Sequence, residues 1–524
     1  MSINSKSLKP VSSDFLSGSV VFLVALPLCL GIALASGAPL FSGIIAGVVG
    51  GIVIGSISGS SLGVSGPAAG LTIIVLGAIQ NIGSYPSFLM AVVLAGVFQI
   101  LLSIVGAGRI AFYFPSSVIK GMMAAIGIII VLKQLPHAFG YDKDPEGDLE
   151  FIQPDGQNTF SELFNVFQYI NESALLIGLV CLGVLILWER PFLKKIKGLS
   201  AIPASLVCVC LGIGLNQTLP AEIRLGGDHL VSLPISQSFD EFKSFFTIPN
   251  WSAINSPVVW QTAVVLAIVA SLETLLCVEA TDKLDPEKNI TPTNRELLAQ
   301  GVGNIISGLI GGLPVTQVVV RSSANINSGG KTKYSSIFHG LLLLICVAFL
   351  PTLLNKIPLA ALAAVLITVG YKLAKPSLFV EIFKEGQNQF IPFFVTVLAI
   401  VFTDLLKGVA LGLVIGLIYV VYTNFRSSIS VLQDGKSTII KFNKDVFFYN
   451  RADLIKALAN VESGETVYID GSNADFIDYD IYMTIQDFEQ NAKNNNIKIE
   501  QNGISIRKIN YRKKNAIIPK TTTH

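Results

Sequence analysis

Apolar runs long enough to cross a bilayer recur from Phe15 to Tyr422, and they limit the fold more than any other feature of this sequence. A helix that spans a membrane takes about 20 mostly apolar residues. Only 14% of the residues are charged, against roughly a quarter in an ordinary soluble domain. The sequence therefore predicts a polytopic α-helical membrane protein with about fourteen membrane segments, at residues 15–36, 41–57, 71–79, 87–106, 118–135, 174–188, 200–219, 258–280, 297–310, a short stretch after 314, 336–354, 359–373, 390–402 and 405–422.

Two of these segments are short and interrupted, one around Pro67 and one around Pro314. Each has a lead-in containing Gly, then a proline, then a run too short to span. Non-helical backbone survives at membrane depth only where it is buried in protein or lines a wet cavity. Proline suits the first turn of a helix, so we expect half-helices to begin directly after Pro67 and Pro314.

Two interrupted segments in corresponding positions of two halves are typical of a transporter site at a repeat interface. Helix N-termini attract anions because their N–H groups are unpaired. We therefore expect both half-helices to direct these groups at one anion-binding cavity. The alternative is a pair of unrelated re-entrant loops.

Arg321 and Glu273 are ionisable residues at membrane depth, where each costs at least ~2.5 kcal/mol and usually has a function. Arg321 is expected to add positive charge to the cavity, unless it snorkels to the inner interface. Glu273 is the candidate coupling residue; it could pair with Arg321, protonate in step with transport, or form a structural ion pair.

The candidate substrate-binding set follows from the two interrupted stretches. It consists of Ser65, Gly66, Pro67, Ala68, Pro314, Thr316, Gln317, Val318, Val319, Val320 and Arg321. Hydroxyls in membrane helices also bond to other helices or to their own backbone, which is the alternative for Ser65, Thr72 and Thr316. Lys120 and Lys133 are expected to snorkel to interfaces, and Asp404 to fix a helix end. His137 and His339 receive no role.

Several classes of function lack support in the sequence. No nucleophile–base arrangement, P-loop or metal-ligand cluster is present, so neither an enzyme, a cofactor nor a metal is expected. No basic–aromatic pattern indicates nucleic acid. The six cysteines lie in apolar runs and are interpreted as packing thiols.

Loop charge and composition predict the domain organisation. The positive-inside rule places a segment at 1–14 in the cytoplasm, with basic loop residues Arg190, Lys194, Lys195 and Lys197 on the same side. It places the acidic residues Asp142, Asp144, Glu146, Asp148, Glu150 and Asp155 outside. A transmembrane transporter domain at 15–425 is followed by a small cytoplasmic α/β domain at 426–506 and a basic tail at 507–524.

At these residues the chain resembles the SulP family, the sulfate-permease group of anion transporters. The motifs are Val64-Ser65-Gly66-Pro67-Ala68-Ala69, Asn294-Arg295-Glu296-Leu297 with Gln300-Gly301 and Asn304, Gly312-x-Pro314-Val315-Thr316, and Arg321-Ser322. The resemblance implies seven-plus-seven inverted repeats in core and gate domains, an anion between the third and tenth segments, and elevator-type alternating access. It also implies a C-terminal STAS domain, a homodimer and a bacterial inner membrane.

The chain departs from the family pattern at three places. Val318, Val319 and Val320 stand where many members have Ser or Thr. Glu273 and Cys277, with Val319, replace the Asp and Thr groups of sodium-coupled members, which favours proton coupling or exchange. In the STAS-like part, Tyr479 stands where phosphorylatable relatives carry Ser or Thr.

The predicted function is a secondary transporter that moves a small inorganic anion, bicarbonate or sulfate, across the lipid bilayer. The alternatives are an anion channel of the same fold, a nucleobase–proton symporter that uses Glu273, and a membrane anchor or sensor that works through its tail domain.

Overall fold

A computed structural model describes residues 8–142, 151, 158–166, 169–188, 190, 203–236, 238–426, 428–435 and 437–504. Most of the predicted basic and acidic loop residues lie outside this described part, as does the tail at 507–524. Contacts divide the chain into two units, Met1–Gly416 and Leu417–His524.

Fourteen helices in the described part correspond to the predicted membrane segments. In chain order they are α1 Leu8–Ala35, α2 Leu40–Ile57, α3 Thr72–Ile82, α4 Tyr85–Ile104, α5 Ser116–Ala138, α6 Glu172–Trp188, α7 Ala204–Thr218, α8 Pro257–Leu284, α9 Thr293–Leu309, α10 Val319–Asn327, α11 Tyr334–Phe349, α12 Leu359–Leu373, α13 Gln387–Phe402 and α14 Leu405–Arg426. The helix α1 begins at Leu8, ahead of the predicted start of the first span at residue 15. The boundary between the two units falls inside α14, so the predicted boundary at 426 stays a prediction.

Length and composition separate these helices into three kinds. Six helical stretches of the described residues are long and apolar enough to cross a membrane, and six more are apolar but shorter. The helices α9 and α10 belong to neither group. Both carry polar side chains that the site uses.

The membrane helices pack as two sets. One set joins α1, α2, α4, α8, α9 and α11, and the other joins α5, α6, α7, α12 and α13. Glycines allow the closest approach within each set. A Cβ on Gly96 of α4 would lie 2.5 Å from the carbonyl oxygen of Gly301, and one on Gly127 of α5 would lie 2.5 Å from that of Gly370.

The C-terminal unit is an α/β domain, as predicted. Its strands are β3 Ile429–Asp434, β4 Ser437–Phe442, β5 Thr466–Asp470 and β6 Lys498–Asn502, and its helices are α15 Arg451–Ala459 and α16 Tyr479–Ala492. The sheet has the order β3-β4-β5-β6, with β3 antiparallel to β4 and the remaining pairs parallel. The sequence analysis missed β3, whose residues are mostly exposed and lack the alternation that marks β4.

Candidate functional site: two crossing strands and their half-helices

The two interrupted stretches meet as a pair of short antiparallel strands, β1 (Ser65–Pro67) and β2 (Val315–Gln317). Ser65 lies opposite Gln317, and Pro67 lies opposite Val315. The expected helix starts are therefore wrong by a few residues. A 3₁₀ turn at Ala69–Leu71 precedes α3, and α10 begins at Val319. Pairing between the strands satisfies backbone groups that neither stretch could satisfy alone at this depth.

A polar stripe on α9 holds both strands in place. Its residues recur at helical spacing on one face: Glu296, Gln300, Asn304 and Ser307. The Asn304 side chain accepts from the N–H of Val315 at 2.6 Å and donates to its carbonyl oxygen at 3.0 Å. Gln300 donates to the hydroxyl of Ser65 at 2.8 Å. These hydrogen bonds to the strands explain why α9 is too polar to resemble a membrane helix.

The start of α10 leaves backbone N–H groups for a ligand. Its first intrahelical hydrogen bond runs from Ser322 to the carbonyl oxygen of Val318, so the three preceding N–H groups have no partner within the helix. The sulfur of Cys277 accepts from the N–H of Val319. The N–H groups of Val320 and Arg321 remain for the cavity.

Glu273 occupies the corresponding position at the other half-helix. Its carboxyl group accepts from the N–H of Gly70, in the 3₁₀ turn before α3. A carboxylate at a helix N-terminus is favourable because of the helix dipole. The ion pairs found among the described residues do not join Glu273 to Arg321, so pairing with Arg321, one of the three alternatives for Glu273, finds no support.

Arg321 does not snorkel, because its side chain is 0% exposed. Its Nη2 lies 3.3 Å from the sulfur of Cys29, while Nε and Nη1 have no hydrogen-bond partner among the residues that the structure describes. The guanidinium lies against Gly66, where an added Cβ would be 1.9 Å from Nη1. A buried charge without a matching partner is costly, so this arrangement favours an anionic ligand.

A cavity of about 30 Å³ lies at these helix starts. It is lined by Leu28, Ile32, Pro67, Ala69, Ile130, Lys133, Gln134, Val318, Val320, Arg321 and Leu366. Helices of both sets contribute to this lining. We call it the central cavity.

Lys133 is the main site residue that the sequence analysis missed. It does not snorkel to an interface: it is 8% exposed and lines the central cavity together with Arg321. Its neighbour Gln134 has a buried Oε1 without a described partner. The sequence did contain a signal for this role. Lys133 and Gln134 are polar residues inside an apolar helix, and polar residues at membrane depth usually have a function, which is the argument that singled out Arg321.

A second cavity of about 50 Å³ lies on the Glu273 side of the same helix starts. Its lining consists of Ala69, Gly70, Ile126, Ile129, Glu273, Cys277, Val318, Val319, Val320, Ile400, Asp404 and Leu405. Asp404 also accepts from the N–H of Lys407 at 2.8 Å at the start of α14, which confirms that it fixes a helix end.

The remaining candidates lie behind the helix starts. The described linings of both cavities leave out Ser65, Gly66, Ala68, Pro314, Thr316 and Gln317. Gln317 donates to the hydroxyl of Thr281 at 3.0 Å, whereas the fully buried hydroxyl of Thr316 has no described partner. The structure therefore brings Pro67, Val318, Val320 and Arg321 together, with the other strand residues as their support.

Two interrupted helices that meet at a pair of antiparallel strands inside a helical membrane protein are typical of transporters built from inverted repeats. The model of the sulfate permease family matches residues 11–399. The chain belongs to the sulfate permease family.

Individual relatives and one solved structure agree with this assignment. The putative sulfate transporter YvdB of Bacillus subtilis is 26% identical over 417 residues, which are 79% of this chain and 74% of the relative. The bicarbonate transporter BicA of a Picosynechococcus strain is 27% identical over 415 residues, 77% of this chain and 69% of the relative. The overall structure of SLC26A9 has a TM-score of 0.65 at 17% identity, covering 95% of this chain and 85% of that one.

These likenesses confirm the predicted fold class. The chain has a polytopic helical domain of two inverted repeats, with core and gate parts, and a small C-terminal STAS-like domain. We refer to the set that contains α1 and α9 as the core and to the set that contains α5 and α12 as the gate.

Proposed function

We propose that this protein is a secondary transporter that binds a small inorganic anion, bicarbonate or sulfate, in the central cavity. One observation supports this most: the buried guanidinium of Arg321 keeps Nε and Nη1 without a described partner beside the start of α10. Relatives whose names specify sulfate or bicarbonate transport give the choice of anions.

The anion's ligands differ from those expected where hydroxyl residues precede the arginine. Val318, Val319 and Val320 offer only backbone groups, and Gln317 is turned toward Thr281. In place of those hydroxyls, the backbone N–H of Val320 binds the anion together with Arg321 and the buried Lys133. Charge-assisted hydrogen bonds of this kind are short and strong.

The position of the central cavity supports the proposal of alternating access. Both half-helices pack mainly on core helices, α3 on α4 and α10 on α1 and α8, whereas Lys133, Gln134 and Leu366 belong to the gate. Movement of the core past the gate would carry the anion from one face to the other, as an elevator does. The same proposal includes a homodimer in a bacterial inner membrane, with both termini and the STAS-like domain in the cytoplasm.

Uptake into proteoliposomes tests this function. Vesicles with purified protein are expected to accumulate labelled bicarbonate or sulfate when a pH gradient or a counter-anion gradient is imposed. Uracil serves as a competitor, and inhibition by uracil would instead favour a nucleobase symporter. Currents far above carrier turnover would favour a channel, and vesicles that take up neither anion would contradict the proposal.

Glu273 is proposed to couple transport to protons. Its Oε2 is buried without a described partner, in the cavity next to the anion site. Glu273→Gln keeps the shape of the side chain and removes its proton exchange. This variant is expected to lose accumulation driven by a pH gradient while it still exchanges labelled for unlabelled anion.

The matched control is Glu279→Gln, the same substitution on α8 at a half-buried position outside both cavity linings. It should accumulate anion as the wild type does. Unchanged proton-driven accumulation in Glu273→Gln would remove Glu273 from the coupling mechanism.

A further inference from the structure

Two histidines and an aspartate form a cluster outside the anion site. Nδ1 of His137, at the end of α5, lies 2.7 Å from one carboxylate oxygen of Asp142. Nδ1 of His229, in the connection between α7 and α8, lies 2.6 Å from the other. The carboxylate is only 2% exposed, whereas the His229 side chain is 30% exposed and can exchange protons with water.

The surrounding hydrogen bonds fix the tautomer of His229. Asn171 caps α6: its Oδ1 accepts from the N–H groups of Ser173 at 3.0 Å and Ala174 at 3.2 Å. The amide therefore turns its Nδ2 toward Nε2 of His229, at 3.4 Å. Since Nδ2 can only donate, Nε2 accepts, and the neutral ring carries its proton on Nδ1 and donates it to Asp142.

Protonation changes both the charge and the contacts of this cluster. With both imidazoles neutral, the cluster carries one negative charge; one proton neutralises it and a second makes it positive. A proton on Nε2 of His229 would face the Nδ2 donor of Asn171, so this contact must open, while the contact with Asp142 becomes ionic.

The cluster lies in a large cavity of about 1160 Å³, which we call the vestibule. The described lining contributed by α1 and α2 (Pro27, Leu30, Gly31, Leu34 and Leu40) is uncharged. Beyond the cluster itself, the other titratable groups of the lining are Asp228 and the phenols of Tyr141 and Tyr169. The charge of the vestibule therefore depends chiefly on the two histidines.

The vestibule adjoins the central cavity along the same two helices. His137 lies one turn of α5 beyond Lys133, and Leu30 of α1 lies between Leu28 and Ile32 of the central cavity lining. An anion that enters from this face passes the cluster before it meets Lys133 and Arg321. Clefts with low-dielectric walls focus the field of such charges and change the rate of ligand entry.

We infer that His137, Asp142 and His229 form a proton-binding entry site, which sets the charge of the vestibule and thereby the rate of anion entry from that face. This inference rests on the proposed anion transport, and it assigns a regulatory site separate from Glu273.

The pKa shifts of the two groups outside the membrane segments agree with this assignment. Burial alone would raise the pKa of Asp142, but hydrogen bonds from both imidazoles, together with their charge, lower it below its usual value. The hydrogen bond to Asp142 raises the pKa of His229 above the usual value for histidine, against the opposing effect of burial. The stabilisation from protonated His229 is fully present below the unfolded-state pKa and is lost as pH rises through the raised one.

Uptake of labelled sulfate tests the inference, because sulfate keeps its charge between pH 6 and 9. Initial rates are measured with the pH of each side set separately. Raising the pH on the vestibule side is expected to raise KM on the order of 10-fold at low ionic strength, and less at high salt. His229→Gln should flatten this profile, and Asp142→Asn should move its midpoint to lower pH.

Asp240→Asn, which removes an exposed acidic residue outside the vestibule lining, is the control and should keep the wild-type profile. The same pH dependence of KM in wild type and His229→Gln would overturn the inference. ¹⁵N NMR of labelled histidines provides a readout without transport: a neutral ring with Nδ1–H that titrates above free histidine is expected. If no anion is transported, the proposed function fails while this titration still tests the proton site, and a ring that stays Nε2–H refutes it.

Discussion

Arg321→Gln is expected to raise the KM for the transported anion by roughly 10- to 100-fold, since a hydrogen bond to a charged group contributes about 1.5–3 kcal/mol. With Lys133, the guanidinium supplies the positive charge of the central cavity, and Nε and Nη1 have no other described partner. Arg321→Lys should fall between wild type and Arg321→Gln, because it keeps the charge but loses the planar fork. Tracer uptake over a range of anion concentrations measures both variants.

A stability measurement separates this loss of binding from damage to the fold. An uncompensated buried charge is destabilising, so without anion Arg321→Gln should melt at or above the wild-type temperature. The control is Arg109→Gln, at an exposed arginine, which should change neither KM nor melting. Wild-type affinity in Arg321→Gln would remove this residue from the site.

The sequence was sufficient for the architecture because its signals are local. A span is a run of apolar residues, and a break in it is marked by residues such as Gly66-Pro67 or Gly312 with Pro314. These features need no knowledge of the partner helix. The position of Arg321 at membrane depth was predicted in the same way, because this residue follows an interrupted segment.

The helix starts could not be predicted, because they depend on pairing between distant residues. Pro67 pairs with Val315, and that pairing keeps both stretches extended where local preference favours a helix. Asn304 contributes to the same arrangement by holding both backbone groups of Val315. Such contacts cannot be inferred from spacing along one segment.

Lys133 was misplaced for a different reason. The expected segment ended at residue 135, which put this lysine at an interface. The helix continues to Ala138 and buries Lys133 well before its end. Cys29 was likewise interpreted as a packing thiol, although its sulfur contacts Arg321. A side chain's depth is set by the helices around it, and the sequence pattern does not contain that information.

Gly66→Ala tests the placement of Arg321 without removing its charge. A Cβ at this position would lie 1.9 Å from Nη1 and 2.6 Å from Cζ of Arg321, so the guanidinium must move. The end of a long side chain shifts more easily than backbone, and we therefore expect the protein to fold. Anion affinity should fall at least about 10-fold, because charge-assisted hydrogen bonds need their geometry.

The matched control is Gly77→Ala, the same substitution in α3, where an added Cβ would meet nothing within 4 Å. This variant should transport as the wild type does and should melt no lower, since alanine favours a helix by about 1 kcal/mol over glycine. Equal anion affinity in the two variants would show that the guanidinium position against β1 does not matter. Reduced affinity in Gly66→Ala alone would place the anion at the guanidinium, because both variants retain every charge of the cavity.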